Sequence, residues 1–225
     1  YLKAEYKTRG PIPQDVIEAT ALTLGELQAD EALLELVASP INPSDVLMLT
    51  GQYGMLPPLP ATGGSEGIAK VVELGSEVKH LSVGMHVLIP VGSGTWATHF
   101  KVKVAKLSPM PSGADPQQLA MLTVNPATAS LLLSEFGDLQ EGDWVIQNAA
   151  NSGVGTYLIQ LAKIRGFKTV NIVRRAELID QLKEVGADEV IVSEGDWVKE
   201  VKKRTDGHPI KLGIDAVSGK ATGQL

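Results

Sequence analysis

The stretch from Trp144 to Arg175 constrains this chain more than any other, because a strand, a glycine turn, a helix and a second strand follow one another within it. Val145 and Ile146 form a short apolar run bounded by Gly142-Asp143 and Gln147-Asn148, which suits a buried strand of a parallel sheet. The turn reads Asn148-Ala149-Ala150-Asn151-Ser152-Gly153-Val154-Gly155. From Thr156 onward Leu158, Ile159, Leu161, Ala162 and Ile164 recur at helical spacing, and Gly166 stands where a left-handed cap residue is wanted. A second strand is predicted over Thr169 to Val173. A strand that reverses into a helix this abruptly needs backbone without Cβ, and a pyrophosphate reaches a helix N-terminus only where no side chain intervenes. The spacing departs from G-x-G-x-x-G, since Asn151-Ser152 occupies the place of the first glycine. An ordinary strand-to-helix turn is therefore the plain alternative.

The residues after the second strand favour a dinucleotide. An NAD site places Asp or Glu about twenty residues after the glycine turn, to bind the ribose 2′-hydroxyl. Arg174 and Arg175 stand there instead. A carboxylate would repel a 2′-phosphate, whereas guanidinium groups bind it through charge-assisted hydrogen bonds. The expected cofactor is NADPH, while two arginines that merely solvate a strand end are the plain alternative, which the pair taken alone would favour.

With 225 residues the chain has room for one or two domains. A net charge of −6, with no run of Lys or Arg, argues against a nucleic-acid surface. The absence of cysteine removes disulfides and thiolate metal sites. No apolar stretch approaches the roughly 18 residues needed to span a bilayer, and no signal peptide is visible. The chain opens on Tyr1, which reads as a trimmed or partial form.

Residues 1–110 look β-rich, with short apolar runs punctuated by Gly and Pro as in a compact barrel-like domain. Strands are expected at Ala32 to Val37, Gly67 to Leu74, Met85 to Val91 and Thr98 to Val104. A short helix is expected at Val46 to Thr50, followed by the loop Gly51-Gln52-Tyr53-Gly54-Met55-Leu56-Pro57-Pro58. Residues 111–225 alternate differently. Helices are expected at Gln117 to Leu122, Ala127 to Phe136, Ala176 to Val185 and Trp197 to Arg204, and further strands at Glu189 to Val192 and Lys211 to Val217. Such alternation builds a doubly wound parallel sheet.

Four segments in order carry a resemblance across essentially the whole chain: Gly51-Gln52-Tyr53-Gly54, Val124-Asn125-Pro126-Ala127-Thr128-Ala129, Gln147 to Gly155, and Asn171-Ile172-Val173-Arg174. With Ile41-Asn42-Pro43-Ser44-Asp45 and Gly63-Gly64-Ser65-Glu66-Gly67, they make the sequence resemble the medium-chain dehydrogenase/reductase superfamily in its zinc-free, quinone-oxidoreductase-like branch. Within it the sequence is most similar to 2-enoyl thioester reductases of mitochondrial-type fatty-acid synthesis and their bacterial relatives. The resemblance implies a GroES-like β-rich catalytic domain, residues 1–110, followed by a Rossmann doubly wound parallel sheet, residues 111–225, with NADPH held between them. Tyr53 matches a tyrosine that donates a proton to substrate, and Asn125 one that contacts the nicotinamide side of the cofactor. Asn151, Ser152, Gly153 and Val154 match the pyrophosphate loop, and Arg174 and Arg175 the 2′-phosphate site. Family members often carry an acidic residue between two arginines where this chain has Arg174-Arg175-Ala176, so Arg174 is the firmer of the two. The implied partner is an enoyl thioester of CoA or acyl carrier protein, and the implied assembly a homodimer. The compartment is cytoplasmic in a bacterium, mitochondrial in a eukaryote.

The implied chemistry delivers hydride to Cβ of the thioester and a proton to Cα. An NADPH:quinone oxidoreductase is the alternative within the branch. A non-catalytic NADPH-binding or structural protein is the alternative outside enzymes. Zinc-dependent relatives have Gly-His-Glu where this chain has Gly64-Ser65-Glu66, so no zinc is expected, and Glu66 is read as a structural hydrogen-bond acceptor. Trp96 is read either as part of an acyl pocket or as packing. A dinucleotide domain has about six strands, against four expected here, so the chain is expected to be a fragment of a longer polypeptide.

Overall fold

The computed structural model describes residues Tyr1–Leu225, which fall into two compact units, Tyr1–Thr123 and Val124–Leu225. The first is built on two antiparallel sheets. Strands β1 (Leu2–Tyr6), β2 (Ile17–Ala21) and β4 (Ala61–Thr62) form one, in the order β2-β1-β4. Strands β3 (Glu31–Ala38), β5 (Ile68–Leu74), β6 (His86–Leu88), β7 (His99–Lys103) and β8 (Ser108–Pro109) form the other, in the order β7-β3-β5-β6-β8. Strand β3 shows the period of two that a half-buried strand requires, for Ala32 and Leu34 are fully buried while their neighbours are not. They pack with Ala69, Val71, Val87, Ile89 and Phe100 in the core of this unit.

Helix α1 (Pro43–Thr50) explains the Asn-Pro-Ser-Asp motif. Asn42 is its N-cap and Pro43 occupies the first turn, where a missing N–H costs nothing. The Asp45 carboxylate reaches back to the Asn42 amide at 2.7 Å and accepts from Ser65 Oγ at 2.6 Å. At the other end Gly51, at φ 78°, closes a Schellman motif: Gln52 N donates to Leu47 O at 2.9 Å and Gly51 N to Met48 O at 3.3 Å. This ending directs the chain into Tyr53. Helix α2 (Pro116–Leu119) is shorter than its sequence suggests, because the chain turns at Ala120 once Leu119 and Ala120 have been buried beside Ile68.

The second unit opens with α3 (Asn125–Glu135), then alternates: β9 (Trp144–Gln147), α4 (Gly153–Ile164), β10 (Lys168–Val173), α5 (Leu178–Glu184), β11 (Glu189–Val192), α6 (Trp197–Arg204), β12 (Ile210–Ile214) and α7 (Lys220–Gln224). The strands are all parallel in the order β11-β10-β9-β12, so the order reverses beside β9. Helix α6 buries Trp197 and Val201 against Trp144, Ile146, Val170, Ile172 and Ile191 on one face of the sheet. Helices α3, α4 and α5 cover the other face, over Val145, Val173 and Val190. The expected doubly wound α/β architecture is present.

A polar ladder runs under α4 within that second face. Gln147 Nε2 donates to Asn171 Oδ1 at 2.7 Å and to Gly155 O at 3.0 Å, and Asn171 Nδ2 donates to Thr169 Oγ1 at 2.9 Å and Glu189 O at 3.0 Å. All three side chains are buried, and their amide and hydroxyl groups satisfy one another.

Candidate dinucleotide site and tyrosine loop

The glycine turn joins β9 to α4, where each small residue has a separate cause. Ser152 is the N-cap of α4, and its hydroxyl accepts from Gly155 N at 3.1 Å. That leaves Gly153 and Val154 with first-turn amides that no intrahelical carbonyl can reach, the arrangement that favours an anion. A Cβ on Gly155 would stand 2.5 Å from Ala150 O, so the helix could not lie this close to the strand end with any other residue. A Cβ on Gly153 would stand 2.7 Å from Asn125 Nδ2, which brings the expected Asn125 to the turn. Ala149 adopts φ 46°, a left-handed conformation without the glycine that usually takes it. Gly155→Ala is expected to destabilise the protein by about 2–3 kcal/mol, because the atoms it meets are backbone and cannot turn aside. A thermal midpoint within a degree of the parent would refute that close approach.

A cleft of about 550 Å3 opens at the carboxyl ends of the parallel strands. Asn151 and Arg174 line it, along with Asn148, Ser193, Trp197 and Val217. Ligands bind at this end of open parallel sheets, beside the point where strand order reverses. Arg174 is exposed there and forms no ion pair, whereas Arg175 pairs with Glu177 at 3.5 Å and does not line the cleft. Asn148, Ser193 and Trp197 escaped the sequence reading. The first two carried a usable signal, each being a polar residue just beyond the carboxyl end of a strand.

Asp215 and Asn148 form a clasp across that end of the sheet. The Asp215 carboxylate accepts from Thr222 Oγ1, Asn148 Nδ2, Val217 N and Ser218 N, while Asn148 Oδ1 accepts from Ala216 N at 2.7 Å. These donors, the Thr222 hydroxyl foremost and the Asn148 amide next, hold the carboxyl well below the usual carboxylate range. A depressed folded-state pKa gives stability that is present above the unfolded value and lost as pH falls through the folded one. The difference in urea midpoint between the parent and Asp215→Asn should therefore be the same at pH 7 and pH 5, and shrink only below about pH 4. A difference that vanishes already at pH 5 would contradict the clasp.

In the first unit Tyr53 lies just past the left-handed Gly51 and is 36% exposed. Glu66 is fully buried and accepts from Asn42 Nδ2 at 2.9 Å, Thr123 N at 3.1 Å and Thr123 Oγ1 at 2.8 Å. It is the hydrogen-bond acceptor that the sequence suggested. No three His, Cys, Asp or Glu side chains come together in metal-binding geometry. Trp96 packs across Gly63 and Gly64, a Cβ on Gly63 falling 2.2 Å from its ring, and its Nε1 donates to Pro40 O at 3.3 Å. Packing against the Gly-Gly pair is thus what the structure shows for Trp96.

Comparison with known proteins gives concordant matches. Residues 28–112 match the alcohol dehydrogenase GroES-like domain and residues 153–224 the zinc-binding dehydrogenase family. The mitochondrial enoyl-[acyl-carrier-protein] reductase of Homo sapiens is 42% identical over 219 residues, which cover 95% of this chain and 59% of that one. The same-named protein of Arabidopsis thaliana is 39% identical over 215 residues, covering 93% and 57%. The chain thus spans about six tenths of the length of these relatives. Among solved structures, the complex of Etr1p with NADP and crotonyl-CoA superposes with a TM-score of 0.89 at 29% identity, over 99% of this chain and 70% of that one. A quinone oxidoreductase from Pseudomonas syringae superposes with a TM-score of 0.84 at 27% identity, over 99% and 68%.

Proposed function

Because this chain belongs to the medium-chain dehydrogenase/reductase superfamily, we propose that its protein is a zinc-independent, NADPH-dependent reductase of the 2,3 double bond of enoyl thioesters. The observation that carries this reading is the 219-residue match to a reductase named for that substrate class. The β-rich unit contributes Tyr53, and the parallel-sheet unit holds the cofactor.

The residues present fit NADPH. The first-turn amides of Gly153 and Val154, with Asn151 beside them, would hold the pyrophosphate at the positive end of α4. Arg174, unpaired on the cleft, would take the 2′-phosphate, and Asn125, beside the turn, would contact the nicotinamide side. Arg175 is assigned a supporting charge, since its guanidinium already has Glu177 beside it. When bound, NADPH supplies hydride to the β-carbon of the thioester. Tyr53 supplies the proton to the α-carbon: a phenol keeps its proton at neutral pH yet releases it to a strongly basic enolate.

The thioester carrier is CoA or acyl carrier protein, and the assembly is taken to be a homodimer. In a eukaryote the compartment is the mitochondrion, by analogy with the relatives' names. Quinone reduction is the competing reading, supported by the likeness to the Pseudomonas syringae enzyme. The test offers the full-length protein crotonyl-CoA and a quinone in parallel, with NADPH oxidation as readout. Turnover of the quinone alone would replace the proposal, and turnover of neither would favour a non-catalytic NADPH-binding role.

A further inference from the structure

The Tyr53 loop is nearly untethered. Residues 51–56 are all exposed, and beyond the helix-ending bonds at Gly51 and Gln52, one hydrogen bond from elsewhere in the chain reaches residues 53–58. That bond comes from Arg9, whose Nη2 donates to the Pro57 carbonyl. The same side chain also meets the start of the loop, since a Cβ on Gly51 would stand 3.3 Å from Arg9 Cδ. Next to it, Gly10 N donates to Leu49 O at 3.2 Å, which fixes the Arg9 backbone to the last turn of α1. One residue therefore grips both ends of the segment that carries Tyr53.

Two features separate this from ordinary packing. Arg9 forms no ion pair with a carboxylate, so its guanidinium is directed to the loop by the Pro57 carbonyl alone. Its Nε is buried with no hydrogen-bond partner. A buried donor without a protein acceptor is a cost to the fold, which the carbonyl bond to Pro57 and the packing on Gly51 must offset.

We propose that Arg9 is the positioning residue for Tyr53, holding the loop at Gly51 and Pro57 so that the tyrosine hydroxyl is presented in one place. This rests on the reading of Tyr53 as the proton donor. Lysine could not serve equally, because a point charge on a flexible stem cannot hold the carbonyl with the fixed geometry of a guanidinium fork.

The test is a double-mutant cycle on the full-length protein with crotonyl-CoA, using Arg9→Met, Tyr53→Phe and the pair, with Arg9→Lys as the conservative variant. Misplacing a catalytic group by about 1 Å costs on the order of 10²-fold, so Arg9→Met should lower kcat about 10–100-fold and leave NADPH Kd within about twofold. Arg9→Lys should fall between it and the parent. The double variant should be no slower than Tyr53→Phe alone, since Arg9 has nothing left to position. Multiplicative losses in the double variant, or an unchanged kcat in Arg9→Met, would overturn the proposal. A second arm keeps it apart from the functional reading: chymotryptic cleavage after Tyr53 in the folded chain should speed up about tenfold in Arg9→Met, because cleavage follows the population of the open loop. If the parent reduces no thioester the functional reading falls, and the cleavage rates still decide whether Arg9 holds the loop; equal rates would refute it.

Discussion

Replacing Tyr53 by Phe is expected to lower kcat for an enoyl thioester by about 10²–10⁴-fold, the usual contribution of a general acid, and to leave NADPH affinity nearly intact. The ring stays and only the hydroxyl is lost, so the hold of Arg9 on Gly51 and on the Pro57 carbonyl has no reason to change. Exposure decides where in that range the loss falls. Tyr53 is 36% exposed, so water can reach the same space and substitute as donor, which places the expected loss nearer 10². The measurement is kcat with crotonyl-CoA alongside NADPH Kd, on parent and variant of the full-length protein. Equal kcat values would remove Tyr53 from the mechanism. A collapse of NADPH binding would make it part of the cofactor site instead.

Arg174→Asp should weaken NADPH binding by about 2–3 kcal/mol, roughly 30–150-fold, while NADH changes less than about threefold. A charge-assisted contact to the 2′-phosphate is lost and a repulsion replaces it. Because Arg174 is exposed on the cleft, solvent screening keeps the effect toward the lower end. The parallel change Arg175→Asp should cost much less, since Arg175 is already engaged by Glu177. Titration of both nucleotides into both variants settles the assignment. An unchanged preference for NADPH in Arg174→Asp would move the phosphate site elsewhere.

The Rossmann-type half was the more legible part of this sequence, for a physical reason. Helices α4 and α6 bury a stripe and expose the rest, and Gly166 ends α4 in a Schellman motif, Phe167 N reaching Ala162 O at 2.9 Å. Such signals are local. Strands β1 and β2 carried a signal that went unused: Leu2, Ala4 and Tyr6 alternate with Lys3 and Glu5, and Ile17, Ala19 and Ala21 with Glu18 and Thr20, although burial does not follow that alternation, Tyr6 being buried while Leu2 is exposed. Met85 to Val91 shrank to the three residues of β6, since Pro90 cannot donate to a ladder. The five-residue α7 contains a glycine and no apolar stripe, and its place at the cleft depends on the Asp215 clasp instead. Of the site, Arg174 and the turn could be read from residue type and order. Trp197 could not, because a tryptophan at the start of an amphipathic helix looks like core until the sheet behind it is known. Arg9 lay farther still from notice, its role set by contacts across more than forty residues of chain.

The buried ladder of Gln147, Asn171 and Thr169 bears on how β9 and β10 find each other. Hydrophobic alternation cannot distinguish a correct parallel pairing from one slipped by two residues, because such a slip returns every side chain to the same face. Here Asn171 lies opposite Gln147, and Thr169 opposite Val145. A slip of two would set Asn171 against Val145 and leave Gln147 facing Val173, two amides in a dry interior with valine for company. The apolar residues would accept that misalignment; the amides would not. The ladder therefore acts as a key that only one register turns, and because Gln147 also holds Gly155 O, choosing that register sets the first turn of α4 against the sheet at the same moment.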